Sequence, residues 1–263
     1  MEVTGAQSAY RILDLLTQIA MHPEGVSAAD AARRAGLTLP TTHRLLRVLC
    51  DRGFAIQPNT GSKYRPGHQL RICAGEGVDH RLLTEIAQPT LTRLRDETGE
   101  TVFLSVRDGA ALSYLDCVAS SHSVQMYGSA GMRVPLHATS QGKAILAFLP
   151  ASTAEHLLGQ LDYQRYTRNT IADAAGLLRE IEAVRRSGYS VNLEERETGV
   201  RSVSAPVLDG NRTAVAAVCV GGPIFRVTEE DLRGPLARLV RAASQEISSR
   251  LADYAIARLA PAI

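Results

Sequence analysis

Apolar residues recur at helical spacing near the start of the chain. Ile12, Leu15, Leu16 and Ile19 fall at i, i+3, i+4 and i+7, which predicts a helix over residues 8–21 with Ser8 as its cap. A short Ala-rich helix follows at Ala28–Ala35, then a turn through Gly36, Leu37 and Thr38. Pro40 suits the first position of another helix, which runs to Arg52 and stops at Gly53. Leu45, Leu46 and Leu49 form its buried stripe, with Val48 at the edge. The opposite face carries Thr41, His43, Arg44 and Arg47, and Thr42 lies between the two faces. Two short extended pieces, 54–57 and 63–65, flank a Pro-Asn-Thr-Gly turn.

Helix, glycine turn, helix and hairpin form the layout of a winged helix-turn-helix, whose second helix enters the major groove of DNA. Polar and cationic side chains near the start of that helix are the base readers: Thr41, Arg44 and Arg47, with Thr42, whose role the pattern leaves open, counted among the DNA-binding residues. Arg52, Lys63 and Arg65 are placed to hold phosphate, with Tyr64 facing the other way. The bland alternative is a solvated helix face. The glycine turn, the proline start and the basic hairpin together favour the DNA reading.

Patterning changes after residue 70. A connecting helix over 71–82 is interrupted near Gly75 and Gly77, and an amphipathic segment with Leu82, Leu83, Ile86, Leu91 and Leu94 follows, with Pro89 as a kink site. Two apolar runs, 101–106 and 111–118, flank an Asp-Gly turn, and a second pair, 200–207 and 213–220, flanks another. Helical patterns lie between them at 140–149, 152–161 and 173–187, and a last helix capped by Thr228 closes the chain. The expected fold is α+β: a winged helix-turn-helix over 1–70, a linker helix over 71–82, and an antiparallel-sheet domain over 83–263.

Composition adds little. The chain has 263 residues and a net charge of +2. Residues 1–70 hold eight Lys and Arg against five Asp and Glu, so the small basic excess lies in the DNA-binding part. Cys50, Cys73, Cys117 and Cys219 are scattered without metal-ligand spacing, which leaves a zinc site without support and favours reduced thiols. No signal pattern or membrane-length apolar run is present, so a cytoplasmic protein with no membrane partner is expected. No cofactor motif is found. Gly142-Lys143 lacks the earlier glycine and the Ser or Thr of a phosphate loop, because His137 and Ala144 stand there. His137 with Ser140 lacks a nucleophile elbow, and His137 reads as a structural hydrogen-bonding residue. The Glu194–Glu197 run reads as a solvated face or a subunit contact, and the enzyme class is set aside.

Along nearly its whole length the chain resembles the IclR-type bacterial transcriptional regulators. The resemblance is carried by GLTLPTTHRLLRVLCDRGF, VPLHATSQGKAILAFL, YTRNTI, SGYSVNLEERETGV and VSAPVLDG followed by AAVCVGGP. It implies a C-terminal GAF-like effector domain, homodimers or homotetramers, and a small organic acid effector. It also implies a pocket at Val134, Ser140, Gln141, Asn192, Ser202, Cys219 and Gly221. That set makes chemical sense, since Ser140 and Gln141 start a helix, where free N–H groups favour an anion. Two positions depart from the glyoxylate- and pyruvate-binding members: Asn192 replaces an acid and Gly221 a hydroxyl. The departures imply a bulkier acid, aromatic or short-chain. The expected function is a ligand-responsive regulator of a catabolic operon, with repressor and activator both open. The alternative is a sensor acting through protein contacts.

Overall fold

The computed structural model describes residues 6–22, 24–58, 61, 63–67, 69–70 and 79–259, with side chains through Tyr254. The chain divides into two compact units, 1–79 and 80–263.

In the first unit, α1 (Gln7–Ala20), α2 (Ala28–Ala35) and α3 (Leu39–Asp51) surround a core of Leu15, Ile19, Ala31, Leu45, Leu46 and Leu49. α1 starts one residue before its predicted bound. Ala6 is its N-cap, without a side-chain cap bond, so Ser8 lies inside the first turn rather than capping it. α2 is capped by Ser27, whose Oγ accepts from the Asp30 N–H, and ends at Gly36 in the left-handed region with φ 63°. Asp30 also accepts from the Ser27 hydroxyl, a bond that holds its carboxyl below the usual range.

The wing is minimal. β1 (Ala55–Ile56) pairs antiparallel with β2 (Arg65–Pro66), and an isolated bridge joins Val26 to Tyr64. Tyr64 is 6% exposed and points into the core, as strand alternation predicts, while Lys63 and Arg65 face out. Positions 59 and 60 of the predicted turn lie outside the described residues.

The second unit opens with α4 (His80–Thr98), three residues before the predicted boundary at 83. Of the predicted linker helix, residues 71–78 lie outside the described residues, and 80–82 belong to α4. Pro89 sits inside α4 on its exposed side, and the helix continues through it.

The sheet has β3 (Thr101–Asp108), β4 (Ala111–Val118), β5 (Arg133–Pro135), β6 (Ser190–Leu193), β7 (Val200–Leu208) and β8 (Ala214–Pro223). Their order is β5-β4-β3-β8-β7-β6, antiparallel throughout. The two predicted hairpins, β3–β4 and β7–β8, therefore meet at the centre through β3 and β8.

One face carries Phe103, Tyr114, Ala217 and Cys219 under α5 (Ser140–Ala147), α6 (Ala151–Gln160) and α7 (Ala174–Ser187). On the other face Val102, Leu104, Val218 and Val220 are fully buried, and α4 packs there with the long terminal helix. Both faces are covered, which explains why β3 and β8 read as apolar runs rather than alternating ones. Thr228 forms a full capping box with Asp231 on the short α8 (Glu229–Arg233), and α9 (Pro235–Leu259) follows.

Candidate functional site

α3 separates its residues by face. Leu45, Leu46 and Leu49 are buried, while His43, Arg44 and Arg47 are exposed and Thr41 is half-buried. Thr42 is the exception to its predicted role. It is fully buried, and its hydroxyl donates to the Thr38 carbonyl at 3.0 Å. Positions 42, 45, 46 and 49 form one inward stripe, so Thr42 supports the helix start and has no free group to offer DNA. Thr38 is the N-cap residue, and its hydroxyl donates to Thr41 Oγ1 at 2.9 Å. Arg52 is exposed at the C-cap.

Arg44, Arg47, Arg52, Lys63 and Arg65 form no ion pair with a carboxylate among the described residues. Helix and wing are neighbours here. Tyr64 has its hydroxyl pushed up, first by burial, and Arg47 on α3 pulls it back down. The stems of Lys63 and Arg65 crowd the space where Gly25 has no side chain. The result is one exposed cationic surface over a leucine core.

The second unit holds a cavity of about 210 Å³. Gln125, Met126, Tyr127 and Met132 form one wall, Thr139 and Gln141 a second, and Asn192, Arg196, Glu197, Val200 and Ser202 the remainder. The helix end comes first in building it. Thr139 caps α5 by accepting from the Gly142 N–H at 3.2 Å, and its own hydroxyl donates to the Pro135 carbonyl. A side chain on Gly142 would collide with the Leu136 backbone, so glycine is what lets α5 start hard against the bend that follows β5.

Beneath the cavity Ser140, fully buried, lies 2.7 Å from the hydroxyls of both Ser202 and Ser204. With those two donating, the Ser140 hydroxyl is free to donate to Gln141 Oε1. Gln141 is 1% exposed, and its Nε2 has no hydrogen-bond partner. A buried amide donor beside a helix N-terminus is chemically suited to meet an acceptor.

Of the seven predicted pocket residues, the cavity gathers Gln141, Asn192 and Ser202. Ser140 and Cys219 lie one layer below, 3.8 Å apart, and burial pushes the Cys219 thiol up. Val134 lines a different, wider surface cleft together with His137 and Tyr166. Gly221 does not leave open space, because the Met126 sulfur lies where its side chain would be. Asn192 spends its amide on the fold: Nδ2 donates to the Ala138 carbonyl at 2.7 Å, and Oδ1 accepts from the Glu195 N–H at 3.0 Å.

The acidic run is solvated only in part: Glu197 is exposed, and Glu195 is buried. Glu195 is 6% exposed and receives Lys143 Nζ at 2.5 Å, while Glu180 receives the same ammonium at 3.4 Å. Burial is the main cause that pushes the Glu195 carboxyl up, and Lys143 opposes it. Glu194 pairs with Arg201 and takes the Gly199 N–H, and Arg196 and Glu197 line the cavity. Arg196 also reaches the Tyr114 hydroxyl at 3.5 Å, which burial holds at about 12, so Tyr114 is a neutral phenol. His137 has the structural role expected of it, with Nε2 3.0 Å from the Gln164 carbonyl. No His, Cys, Asp and Glu cluster suited to a metal is found among the described residues, and no described helix is long and apolar enough to cross a membrane.

With this geometry in place, comparison with known proteins is informative. The family description "IclR helix-turn-helix domain" matches residues 8–58, and "Bacterial transcriptional regulator IclR C-terminal" matches 76–249. The transcriptional repressor IclR of Escherichia coli K12 is 32% identical over 241 residues, covering 91% of this chain and 88% of that one. The HTH-type transcriptional regulator BhcR of Paracoccus denitrificans is 30% identical, covering 92% and 86%. Among solved structures, the IclR of Thermotoga maritima has 30% identity and a TM-score of 0.62 over 93% of this chain and 98% of that one. An IclR homologue of Microbacterium hydrocarbonoxydans, solved with 4-hydroxybenzoate, has 23% identity and a TM-score of 0.59 over 93% and 98%, a likeness of fold.

Proposed function

Because the chain belongs to the IclR family of bacterial transcriptional regulators, we propose that it binds double-stranded operator DNA through α3 and the wing and senses a small organic acid in the cavity of its second unit. The relatives are transcriptional regulators, and this chain is read as a regulator rather than an enzyme. The observation that carries the DNA reading is the exposed cationic face of α3, which no carboxylate among the described residues pairs with. Arg44, Arg47 and Thr41 are the base readers, and Arg52, Lys63 and Arg65 hold phosphate. A homodimer would present two such helices to half-sites about 34 Å apart.

The acid would place its carboxylate at Gln141 Nε2 and the first turn of α5. A volume of about 210 Å³ is space for about seven waters, below the ~300 Å³ at which drug-sized pockets begin. A compact acid with a small apolar body, aromatic or short-chain, fits that space against Met126, Met132 and Tyr127. Genes for breakdown of that acid are the natural targets. Binding would shift DNA affinity by a coupling free energy of ~1–3 kcal/mol. Mobility shifts on the chain's own upstream DNA, with and without benzoate or glyoxylate, test both halves. A shift that either acid alters supports the proposal, and indifference to that DNA at low salt contradicts it.

A further inference from the structure

The exposed face of α3 is cationic but not wholly polar. Leu39, His43 and Arg47 stand at i, i+4 and i+8, so they follow one another along one flank of the helix. All three are exposed. Leu39 is the apolar member, with 45% of its surface open to water. It is the first residue of α3, between the Thr38 cap and Pro40. Leu37, two residues earlier, packs against the leucine core of the first unit. The buried stripe of α3 itself starts only at Thr42. A leucine is thus left outside the core, on the turn that a recognition helix brings to the bases.

A leucine side chain can neither donate to phosphate nor pair with a base edge. What it can meet in the major groove is the apolar group that groove presents, the C5 methyl of thymine. The other exposed apolar side chains of this unit are placed differently. Val48 lies in the last turn of α3, Ile56 stands opposite Arg65 on the wing, and Tyr10 and Leu13 belong to α1. Of these, Leu39 shares its flank with the base-reading Arg47. We infer that Leu39 is a specificity-determining residue, packing on the methyl group of one thymine in the half-site that α3 reads. Contact with that methyl removes apolar surface of both partners from water, which the isolated protein leaves exposed. The inference rests on the DNA reading of α3 and goes beyond it by naming a base.

Fluorescence anisotropy with the full chain on its own upstream duplex, each thymine replaced in turn by deoxyuridine, tests it. The exchange removes the methyl and keeps every hydrogen-bonding group of the base pair. Burial of one such carbon is worth about fourfold in affinity, so wild type should lose about that factor at one thymine of each half-site and little at the others. Leu39→Ala should bind the thymine and deoxyuridine duplexes equally at that position. Exchange of that T·A pair for C·G should weaken wild type, and 5-methylcytosine in place of the new cytosine should restore part of the loss, because it returns the methyl to the same edge. Leu39 is exposed, so Leu39→Ala should melt with wild type; should it fail to fold, the wild-type series still decides, since the absence of any methyl-sensitive thymine ends the proposal. Wild type indifferent to every exchange, or Leu39→Ala that keeps the penalty, overturns the leucine–methyl contact while the DNA reading stands. Wild type that binds upstream and random duplexes alike overturns the DNA reading and this contact with it.

Discussion

Replacing Lys143 by methionine keeps the length of a buried side chain and deletes its charge. The Lys143 side chain is 1% exposed and that of Glu195 8%, so neither ion has water to fall back on. Glu195 Oε2 has no partner at all, and Glu180, 34% exposed, stands close enough to repel once the ammonium is gone. Breaking such a pair from one side costs about 3–5 kcal/mol, a large part of the ~5–15 kcal/mol that holds a protein folded.

The cost should depend on pH. In the native chain burial already raises the Glu195 carboxyl above its ordinary value of 4.5. Removing Lys143 removes the main opposing pull, so the folded value rises further and the unfolded value stays ordinary. Between the two, the folded state holds a proton that the unfolded state has lost, and stability falls as pH rises through that window. Urea unfolding at about pH 8 and about pH 5 should therefore show a deficit that shrinks on acidification, and Glu195→Gln in the same chain should recover part of it at the higher pH. A loss under about 1 kcal/mol, or a deficit that grows with acid, would refute this account of the buried pair.

Other outcomes follow from the same geometry. Thr42→Val should leave operator affinity unchanged and cost about 1 kcal/mol of stability in thermal unfolding, since its hydroxyl bonds only within the helix. Gln141→Met should weaken acid binding by about 1.5–3 kcal/mol in calorimetry, because it deletes the buried Nε2 donor that has no other partner in the folded protein. Lys63→Ala should weaken binding to all DNA sequences alike and reduce the salt slope of binding by about one, read from anisotropy titrations across a salt series.

The DNA-binding unit was legible where period and punctuation agreed. Leu45, Leu46 and Leu49 repeat at helical spacing, Gly36 ends one helix, and Pro40 starts the next. Thr42 reads as a position between the two faces because its hydroxyl disguises a residue that completes the same buried stripe. In the second unit the paired hairpins could be read from their Asp-Gly turns, but the meeting of β3 with β8 joins residues more than a hundred apart, which no local pattern encodes. The pocket shows the same division. Ser140 and Gln141 are marked by their helix start. Met126 stands in an irregular loop with no period to flag it, and Lys143 meets Glu195 across 52 residues. Gly221 suggested empty space because a glycine shows what is missing and not what has moved in.

The most direct measurement is operator binding by fluorescence anisotropy, comparing wild type with Arg47→Ala on the chain's own upstream DNA and on a random duplex of equal length. Base reading by α3 predicts a loss of roughly 1–3 kcal/mol on the upstream DNA and little change on the random duplex. An equal loss on both would reduce Arg47 to a phosphate contact, and wild-type protein that binds both duplexes alike would contradict sequence-specific recognition by this surface.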